Sequence, residues 1–425
     1  MLSYLLVMVG LLICGAVVFQ LAVTVAGSLG HFRSNRQQNE LSISLLKSQI
    51  QATGLLHRER TDVSELSWNG YRKFVVKKLV RENGSAASVY LAPHDGKKLP
   101  PFRPGQYLTF NLRIPGVLKP VIRCYSLSDR HDSETYRISV KKVPPPPKRP
   151  ELPPGLSSSY VNDVLKEGDI LDVKAPSGAF TLEVHENFPI VLIAGGIGIT
   201  PLYSMLRAVL ATGTQREVWM FYGLRKKDEH VFKNDLDEIA RTNANVKIIT
   251  AYSEPTPTCK EGSDFQHKGY VSLDLLKKFL PGNNYSFYLC GPPPMMESLS
   301  TTLGEWGVPE TRVHYEAFGP ATVKKTANRK GDETTAAPAV ASSNIKFAQS
   351  GKTIAWDPNK LSILELARAN GLTMNSGCCV GQCGTCLVAI KSGEVSYVSK
   401  PGYEVEAGSC LLCIAVPKGN LELDA

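Results

Sequence analysis

A chain of 425 residues exceeds one typical domain, and a prior of roughly 150 residues each divides it into two or three. With 43% hydrophobic and 20% charged residues it has the composition of a folded protein, so its net charge of +9 needs only a local explanation. The basic residues are scattered and not interleaved with aromatics, which excludes a nucleic-acid partner.

From Leu2 to Leu29 the residues are almost all apolar and none is charged. As a helix this run would extend about 42 Å, beyond the roughly 30 Å of a bilayer's hydrocarbon core. No basic residue precedes it and it is about twice the length of a signal-peptide core, so residues 1–32 are expected to be an uncleaved transmembrane anchor. His31, Arg33 and Arg36 follow, and the positive-inside rule then predicts a single-pass protein of the cytoplasmic membrane with its remaining domains in the cytoplasm. Residues 33–66, with Leu41, Leu45, Leu46 and Ile50 at helical spacing, read as an amphipathic stalk.

From Tyr71 the pattern becomes short alternating strands broken by Gly and Pro, such as Phe74–Val80 and Val89–Leu91, which predicts an antiparallel β-domain over residues 67–183. Residues 184–319 alternate strands and helices, beginning with the continuously apolar Ile190–Ala194. Residues 320–343, rich in Lys, Thr, Ala and Pro, read as a linker, and residues 344–425 as a third domain of mixed strand and helix.

Three constellations carry chemistry. Ten cysteines are present, six of them between Cys378 and Cys413, at the end of a long chain with nucleotide-type glycine motifs. That crowding favours a metal centre over a disulfide scaffold. Cys378, Cys383 and Cys386 are spaced C-x4-C-x2-C, the plant-type [2Fe-2S] spacing, and a four-cysteine zinc site fits less well because only one C-x2-C pair exists. Cys379 would give the wrong register, and Cys410 competes with Cys413 for the fourth position.

The second constellation is Arg123, Tyr125 and Ser126 in R-C-Y-S, preceded by F-R-P-G-Q-Y from Phe102. An arginine pairs with a phosphate, an aromatic stacks on an isoalloxazine, and a serine hydroxyl bonds the flavin ring or ribityl chain. Val140 and Lys141 follow, and then Gly155, Ser157 and Ser158 in G-L-S-S-S, whose small residues suit a pyrophosphate. The third is V-L-I-A-G-G-I-G-I-T-P, a buried strand running into Gly195, Gly196 and Gly198, with Thr200 and Pro201 opening a helix. A dinucleotide's phosphates suit such a turn. C-G-P-P-P-M, contributing Cys290, Gly291, Pro292 and Met295, ends a later strand, where ligands bind in open α/β sheets.

Together these motifs resemble the ferredoxin–NADP reductase superfamily over Trp68 to Gly319, closed by Y-E-A-F-G, while Asn344 to Ala425 resembles a plant-type ferredoxin domain. The domain order is similar to that of oxygenase reductase components such as phthalate dioxygenase reductase. The resemblance implies an antiparallel β-barrel flavin domain, an α/β Rossmann-like nicotinamide domain and an α+β β-grasp ferredoxin domain, to which the anchor adds one transmembrane helix. It further implies Cys413 as the fourth cluster ligand, because the family's last ligand precedes a small-residue run ending in Pro, here Cys413, Ala415 and Pro417. Cys290 would lie near the nicotinamide C4, with Glu316 and Phe318 bordering the flavin. The G-L-S-S-S segment is closer to FAD-binding than to FMN-binding members, although the proline-rich insert Pro144 to Pro154 delays it.

The implied activity is electron transfer from NADH through FAD to a [2Fe-2S] cluster and on, singly, to an acceptor such as an oxygenase or desaturase. NADH is expected over NADPH because Glu254, in S-E-P, would repel a 2′-phosphate of about −1.5 to −2 charge, with Arg225, Lys226 and Lys227 acting in the opposite sense. The alternative is an NADH:quinone reductase subunit, a family that places its ferredoxin domain before the flavin module, the reverse of this chain. A redox-silent scaffold is opposed by the completeness of every cofactor motif.

Overall fold

The computed structural model describes residues 10, 15–21, 24, 65–145, 149–318, 343–360, 362–379, 381, 383–399, 401 and 405–425. The chain divides into two compact units, Met1–Glu65 and Leu66–Ala425. In the first, residues 15–21 are helical. The expected single-pass membrane anchor is here corrected, and with it the expected location: among the described residues no helix is long and apolar enough to cross a membrane. The rest of the apolar run, nearly all of the predicted stalk and the predicted linker lie outside the described residues.

The second unit opens with six antiparallel strands: β1 (Arg72–Asn83), β2 (Ala86–Pro93), β3 (Tyr107–Leu112), β4 (Val121–Ser126), β5 (Tyr136–Lys141) and β6 (Ile170–Val173). Their order is β4-β3-β6-β1-β2-β5, and a bridge between Leu127 and Ile138 joins the two ends, which curls the sheet into the expected barrel. Phe74, Val76, Val89, Leu91, Leu108, Phe110 and Ile138 fill its interior. A short helix, α1 (Leu156–Ser159), runs into a π-turn at Tyr160–Val164, and the Asn162 amide ties it to the barrel by donating to the Val140 carbonyl at 3.1 Å.

Six parallel strands follow: β7 (Ile190–Gly195), β8 (Val218–Leu224), β9 (Val246–Tyr252), β10 (His267–Lys268), β11 (Ser286–Gly291) and β12 (Val313–Ala317). Between them lie α2 (Ile199–Ala211), α3 (Lys233–Thr242), α4 (Leu273–Phe279) and α5 (Pro293–Glu305). Alternation assigns the strand residues to two cores. Ile190, Leu192, Ala194, Met220 and Tyr222 pack under α2 and α3, while Val191, Ile193, Trp219 and Phe221 pack under α4 and α5. A sheet covered on both faces must be apolar at every position, which is why Ile190–Ala194 shows no alternation. The order β10-β9-β8-β7-β11-β12 reverses direction between β7 and β11, a topological switch point whose carboxyl ends form a ligand crevice.

Barrel and α/β domain are pinned together by Arg137. Its buried guanidinium lies 5.3 Å from the Tyr203 ring and 4.9 Å from the Phe232 ring and pairs with Asp129 at 3.3 Å. Asp129 also accepts from Arg207 Nε at 3.3 Å, and its backbone carbonyl accepts from the Ser204 hydroxyl at 2.7 Å, both on α2. A buried cation held by a carboxylate and two aromatic faces is satisfied in its charge, and breaking the set would leave it uncompensated.

The last domain contains β13 (Asn344–Phe347), β14 (Lys352–Ala355), α6 (Ile363–Ala369), β15 (Leu387–Ser392), β16 (Val395–Tyr397), β17 (Ser409–Leu411), β18 (Ala415–Pro417) and β19 (Leu421–Leu423). The main sheet, β14-β13-β19-β15-β17, wraps α6 in the manner of a β-grasp, with β13 and β19 parallel. Ser362 caps α6 by accepting from the Glu365 amide at 3.3 Å, while Ile363, Leu364, Leu366 and Ala367 are buried against Phe347 and Trp356.

Candidate functional site: a nucleotide crevice, a flavin strand and a thiol loop

The thiol loop connects α6 to β15. Gly381 has φ 76° and a side chain there would strike Ile414, so only glycine allows this approach. The turn brings the expected thiols into two pairs. The Cys386 and Cys413 sulfurs lie 3.1 Å apart, and the Cys378 amide donates to the Cys383 sulfur at 3.3 Å. The Gly381 amide donates to the Cys413 sulfur at 3.2 Å. Among the described residues no three His, Cys, Asp or Glu side chains surround a single point that would hold one ion. Two thiol pairs with backbone donors aimed at their sulfurs fit a binuclear iron–sulfur cluster better than one tetrahedral zinc. Cys379, in the left-handed region at φ 59°, lies 3.9 Å from the Arg368 guanidinium. Cys410 sits in β17 opposite Val388, fully buried, and burial pushes its thiol up to about 12.

On the barrel, the register of β4 against β3 sets Arg123 opposite Phe110, Tyr125 opposite Leu108 and Ser126 opposite Tyr107. Arg123 is exposed and Ser126 buried. Tyr125 packs on the Phe110 ring at 5.6 Å, and burial raises its phenol to about 12, so it stays neutral. At α1 the Ser158 hydroxyl is used internally, donating to the Gly155 carbonyl at 2.9 Å, while the hydroxyls of Ser157 and Ser159 are buried without a partner. Buried hydroxyls left unpaired cost free energy, and a pyrophosphate at this turn would satisfy them, so the residues fit an FAD. The Lys141 ammonium is taken by Glu229 of the α/β domain at 2.6 Å, so at this position the strand is left with its backbone to offer a cofactor.

At the switch point the glycines divide by function. A side chain at Gly198 would run into the Cys290 carbonyl of the opposing turn, and one at Gly291 into Met295 of its own turn and the Gly195 backbone opposite. These two glycines let β7 and β11 close on each other. Gly196, at φ 54° with open space around it, faces outward and suits close approach by a phosphate. Gly195 meets Pro292 and Met295, and Thr200 and Pro201 are buried at the start of α2. Cys290 is fully buried and stands in register with Glu316 on β12. The Glu316 side chain keeps part of its surface, but its Oε2 is buried with no partner, and burial raises the carboxyl to about 8. Burial, and then the nearby Glu316, keeps the Cys290 thiol protonated. Phe318 is exposed beyond the end of β12. Glu254 is exposed past β9, its amide bonded to the Arg225 carbonyl at 2.9 Å. Of the three cations facing that end, Arg225 pairs with Glu229 at 3.1 Å and Lys227 with Asp264 at 2.8 Å.

One residue the motifs passed over joins two of these sites. Cys124, between Arg123 and Tyr125, lies near Cys383 of the thiol loop, and each thiol shifts the protonation of the other. Nothing local in the sequence marks Cys124, because its partner lies in another domain.

Comparison with known proteins bears on all three parts. Residues 89–182 match the oxidoreductase FAD-binding domain, 192–301 the oxidoreductase NAD-binding domain and 345–418 the 2Fe-2S iron–sulfur cluster binding domain. A flavohemoprotein of Halalkalibacterium halodurans is 39% identical over 254 residues, which cover 60% of this chain and 61% of that protein, so the chain spans about three-fifths of that relative. The solved flavohem-like FAD/NAD binding domain of nitric oxide dioxygenase from Vibrio cholerae is 31% identical, is covered over its whole length by 59% of this chain, and superposes with a TM-score of 0.52. Phthalate dioxygenase reductase, described as modular for electron transfer from pyridine nucleotides to [2Fe-2S], is 28% identical, with 84% of this chain covering 98% of it at a TM-score of 0.50. The three domains occur in the same order here as in that reductase. The chain thus belongs to the family of oxidoreductases built on paired FAD-binding and NAD-binding domains, and with its third domain it is an NAD(P)H-dependent flavin and iron–sulfur oxidoreductase using FAD, NADH and a [2Fe-2S] cluster.

Proposed function

We propose that this reductase delivers electrons from NADH, one at a time, to a separate protein acceptor of the oxygenase or desaturase kind, with the cluster as the exit. The observation that supports the reading is the gathering of Cys378, Cys383, Cys386 and Cys413 into two thiol pairs, in a chain whose other two domains match FAD-binding and NAD-binding domains. When bound, the flavin converts a two-electron hydride donor into a source of single electrons, and the cluster carries them singly.

The protein's residues bind and orient. Cys378, Cys383, Cys386 and Cys413 would hold the cluster through their thiolates. Arg123 pairs with the flavin's phosphate, Tyr125 and Ser126 hold its ring and ribityl chain, and Gly155, Ser157 and Ser158 hold the pyrophosphate, with Val140 and Lys141 completing the wall through their backbone. Gly196 takes the dinucleotide phosphates, at a turn that Gly195, Gly198, Thr200 and Pro201 shape. Gly291, Pro292 and Met295 shape the nicotinamide pocket beside Cys290, Glu316 and Phe318. Glu316 keeps a proton on its carboxyl near neutral pH, which makes it a hydrogen-bond donor and spares the hydride a neighbouring negative charge. Glu254 favours NADH, and the ion pairs of Arg225 and Lys227 leave them less able to draw a 2′-phosphate.

The quinone reading is disfavoured by the order of the domains, flavin first and ferredoxin last. Truncation at Gly319 tests the proposal. NADH oxidation with ferricyanide, which collects electrons from the flavin, is expected to persist, while reduction of cytochrome c falls steeply. Cytochrome c reduction by the truncated form at the full chain's rate would defeat it.

A further inference from the structure

Arg225, Lys226 and Lys227 stand in a row after β8, and Glu229, two residues further on, belongs to no cofactor motif. It ends a short 3₁₀ turn, Lys227–Glu229, with only 17% of its side chain exposed. Its two carboxylate oxygens are divided between domains. Oε2 accepts from the Lys141 ammonium of the flavin barrel at 2.6 Å, while Oε1 accepts from Arg225 Nε at 3.2 Å and Nη2 at 3.1 Å. Two donors on one oxygen fix the direction of the guanidinium as well as its distance. The Ser253 amide donates to the Leu224 carbonyl and the Glu254 amide to the Arg225 carbonyl, both at 2.9 Å, so Arg225 and Glu254 share one edge of the crevice at the ends of β8 and β9. In open α/β sheets a carboxylate near that edge meets the adenosine ribose of NAD, and an arginine accommodates the 2′-phosphate of NADP. Arg225 has the means to do so, with a side chain 63% exposed and a planar fork that matches phosphate oxygens.

We infer that Glu229 is a specificity-determining residue that ties Arg225 back from the adenosine 2′ position and so maintains the choice of NADH over NADPH, with Lys141 of the barrel holding the tie in place. The inference rests on the reading above that Glu254 marks the 2′ position. An exposed ion pair alone is weak, and a carboxylate free to rotate would follow Arg225 toward an incoming phosphate of about −1.5 to −2 charge. Glu229 is not free in this way. A second cation, from another domain, holds its other oxygen, so Arg225 must break its pair before it can reach a 2′-phosphate. Lys227 is restrained in the same manner by Asp264 at 2.8 Å. The barrel thereby takes part in nucleotide choice at a point that its own cofactor motifs do not mark.

The experiment measures kcat/KM for NADH and for NADPH with ferricyanide, using the full chain loaded with FAD and cluster, in Glu229→Gln, Arg225→Gln and the double variant. Glu229→Gln keeps the shape and removes the charge. It is expected to raise kcat/KM for NADPH by roughly three- to tenfold, mainly through a lower KM, with the value for NADH little changed. The double variant is expected to lose that gain, and Arg225→Gln alone to keep the parent's nucleotide ratio, because Arg225 is already withdrawn. An unchanged ratio in Glu229→Gln would overturn the inference. So would a gain that survives in the double variant, since it would come from the loss of a negative charge alone. If Glu229→Gln does not retain FAD, Arg225→Gln decides: an unchanged ratio supports the tie, and a fall in NADPH use shows Arg225 already reaching the phosphate and overturns it. Glu254→Gln separates this inference from the reading beneath it. An unchanged ratio in both Glu254→Gln and Glu229→Gln would move the 2′ position away from this edge, whereas a shift in Glu254→Gln beside an unchanged ratio in Glu229→Gln would sink only the tie.

Discussion

Cys290 and Cys383 are both buried, and their thiols are driven in opposite directions. At the end of β11, Cys290 is surrounded by apolar strands and faces the Glu316 carboxyl, and burial followed by that neighbour pushes its pKa well up. In the thiol loop, the neighbouring Cys124 first and Cys378 next hold Cys383 far below the usual thiol range, against the opposing pull of burial. Burial alone always favours the neutral form, and only donors aimed at the sulfur reverse it. A neutral thiol suits a pocket that receives a hydride, and a thiolate suits an iron ligand, so the same residue type serves two kinds of chemistry according to what points at it.

The largest effect that would sharpen this comparison comes from the thiol side. Single changes of Cys378, Cys383, Cys386 or Cys413 to Ser are expected to abolish the reduced-cluster EPR signal, while Cys379→Ser and Cys410→Ser keep it. An intact cluster in Cys413→Ser beside a lost one in Cys410→Ser would move the fourth ligand to β17.

Next in size is the carboxyl that faces Cys290. The folded-state pKa of Glu316 is raised by burial to about 8 from its ordinary 4.5, so the folded chain holds an extra proton between those values. The stability this confers is present in full below about pH 4.5 and is lost as pH rises through 8. Glu316→Gln does not titrate, so it should match the parent at pH 4.5 and gain on it by a few kcal/mol by pH 9. Thermal melts of both across that range measure the difference, and parallel curves would place the Glu316 carboxyl in contact with water.

A smaller effect is expected at the adenosine end. Glu254→Lys should move the ratio of kcat/KM for NADH and NADPH toward NADPH by roughly tenfold, the exchange of a repulsive charge for an attractive one near a 2′-phosphate. An unchanged ratio would take Glu254 out of the discrimination. Smallest is Lys141→Met, which breaks the 2.6 Å pair with Glu229 and should cost about 1 kcal/mol at the junction of barrel and α/β domain.

Much of this was legible in the chain. Cysteine spacing marked the thiol loop, the unbroken apolar Ile190–Ala194 announced a strand covered on both faces, and Cys290 pointed to the crevice because it ends a strand beside a glycine turn. Contacts between domains were hidden, since no local pattern encodes them. Lys141 reads as a cofactor-binding residue in its own strand but finds Glu229 some ninety residues away, and Cys124 reads as filler within R-C-Y-S. Gly198 and Gly291 read as nucleotide-binding glycines, and only the pairing of β7 with β11 shows that they serve strand closure. The apolar amino-terminal run misled for a related reason: hydropathy measures what a segment would tolerate, and no helix long enough to span a bilayer is found among the described residues.

The claim that electrons leave by the cluster is tested most directly by mixing the full chain with NADH anaerobically and following cluster reduction by stopped-flow absorbance and rapid-freeze EPR. Exit through the cluster predicts cluster reduction at least as fast as steady-state turnover with cytochrome c. Cluster reduction slower than that turnover would contradict the account, because electrons would then be reaching the acceptor by another way.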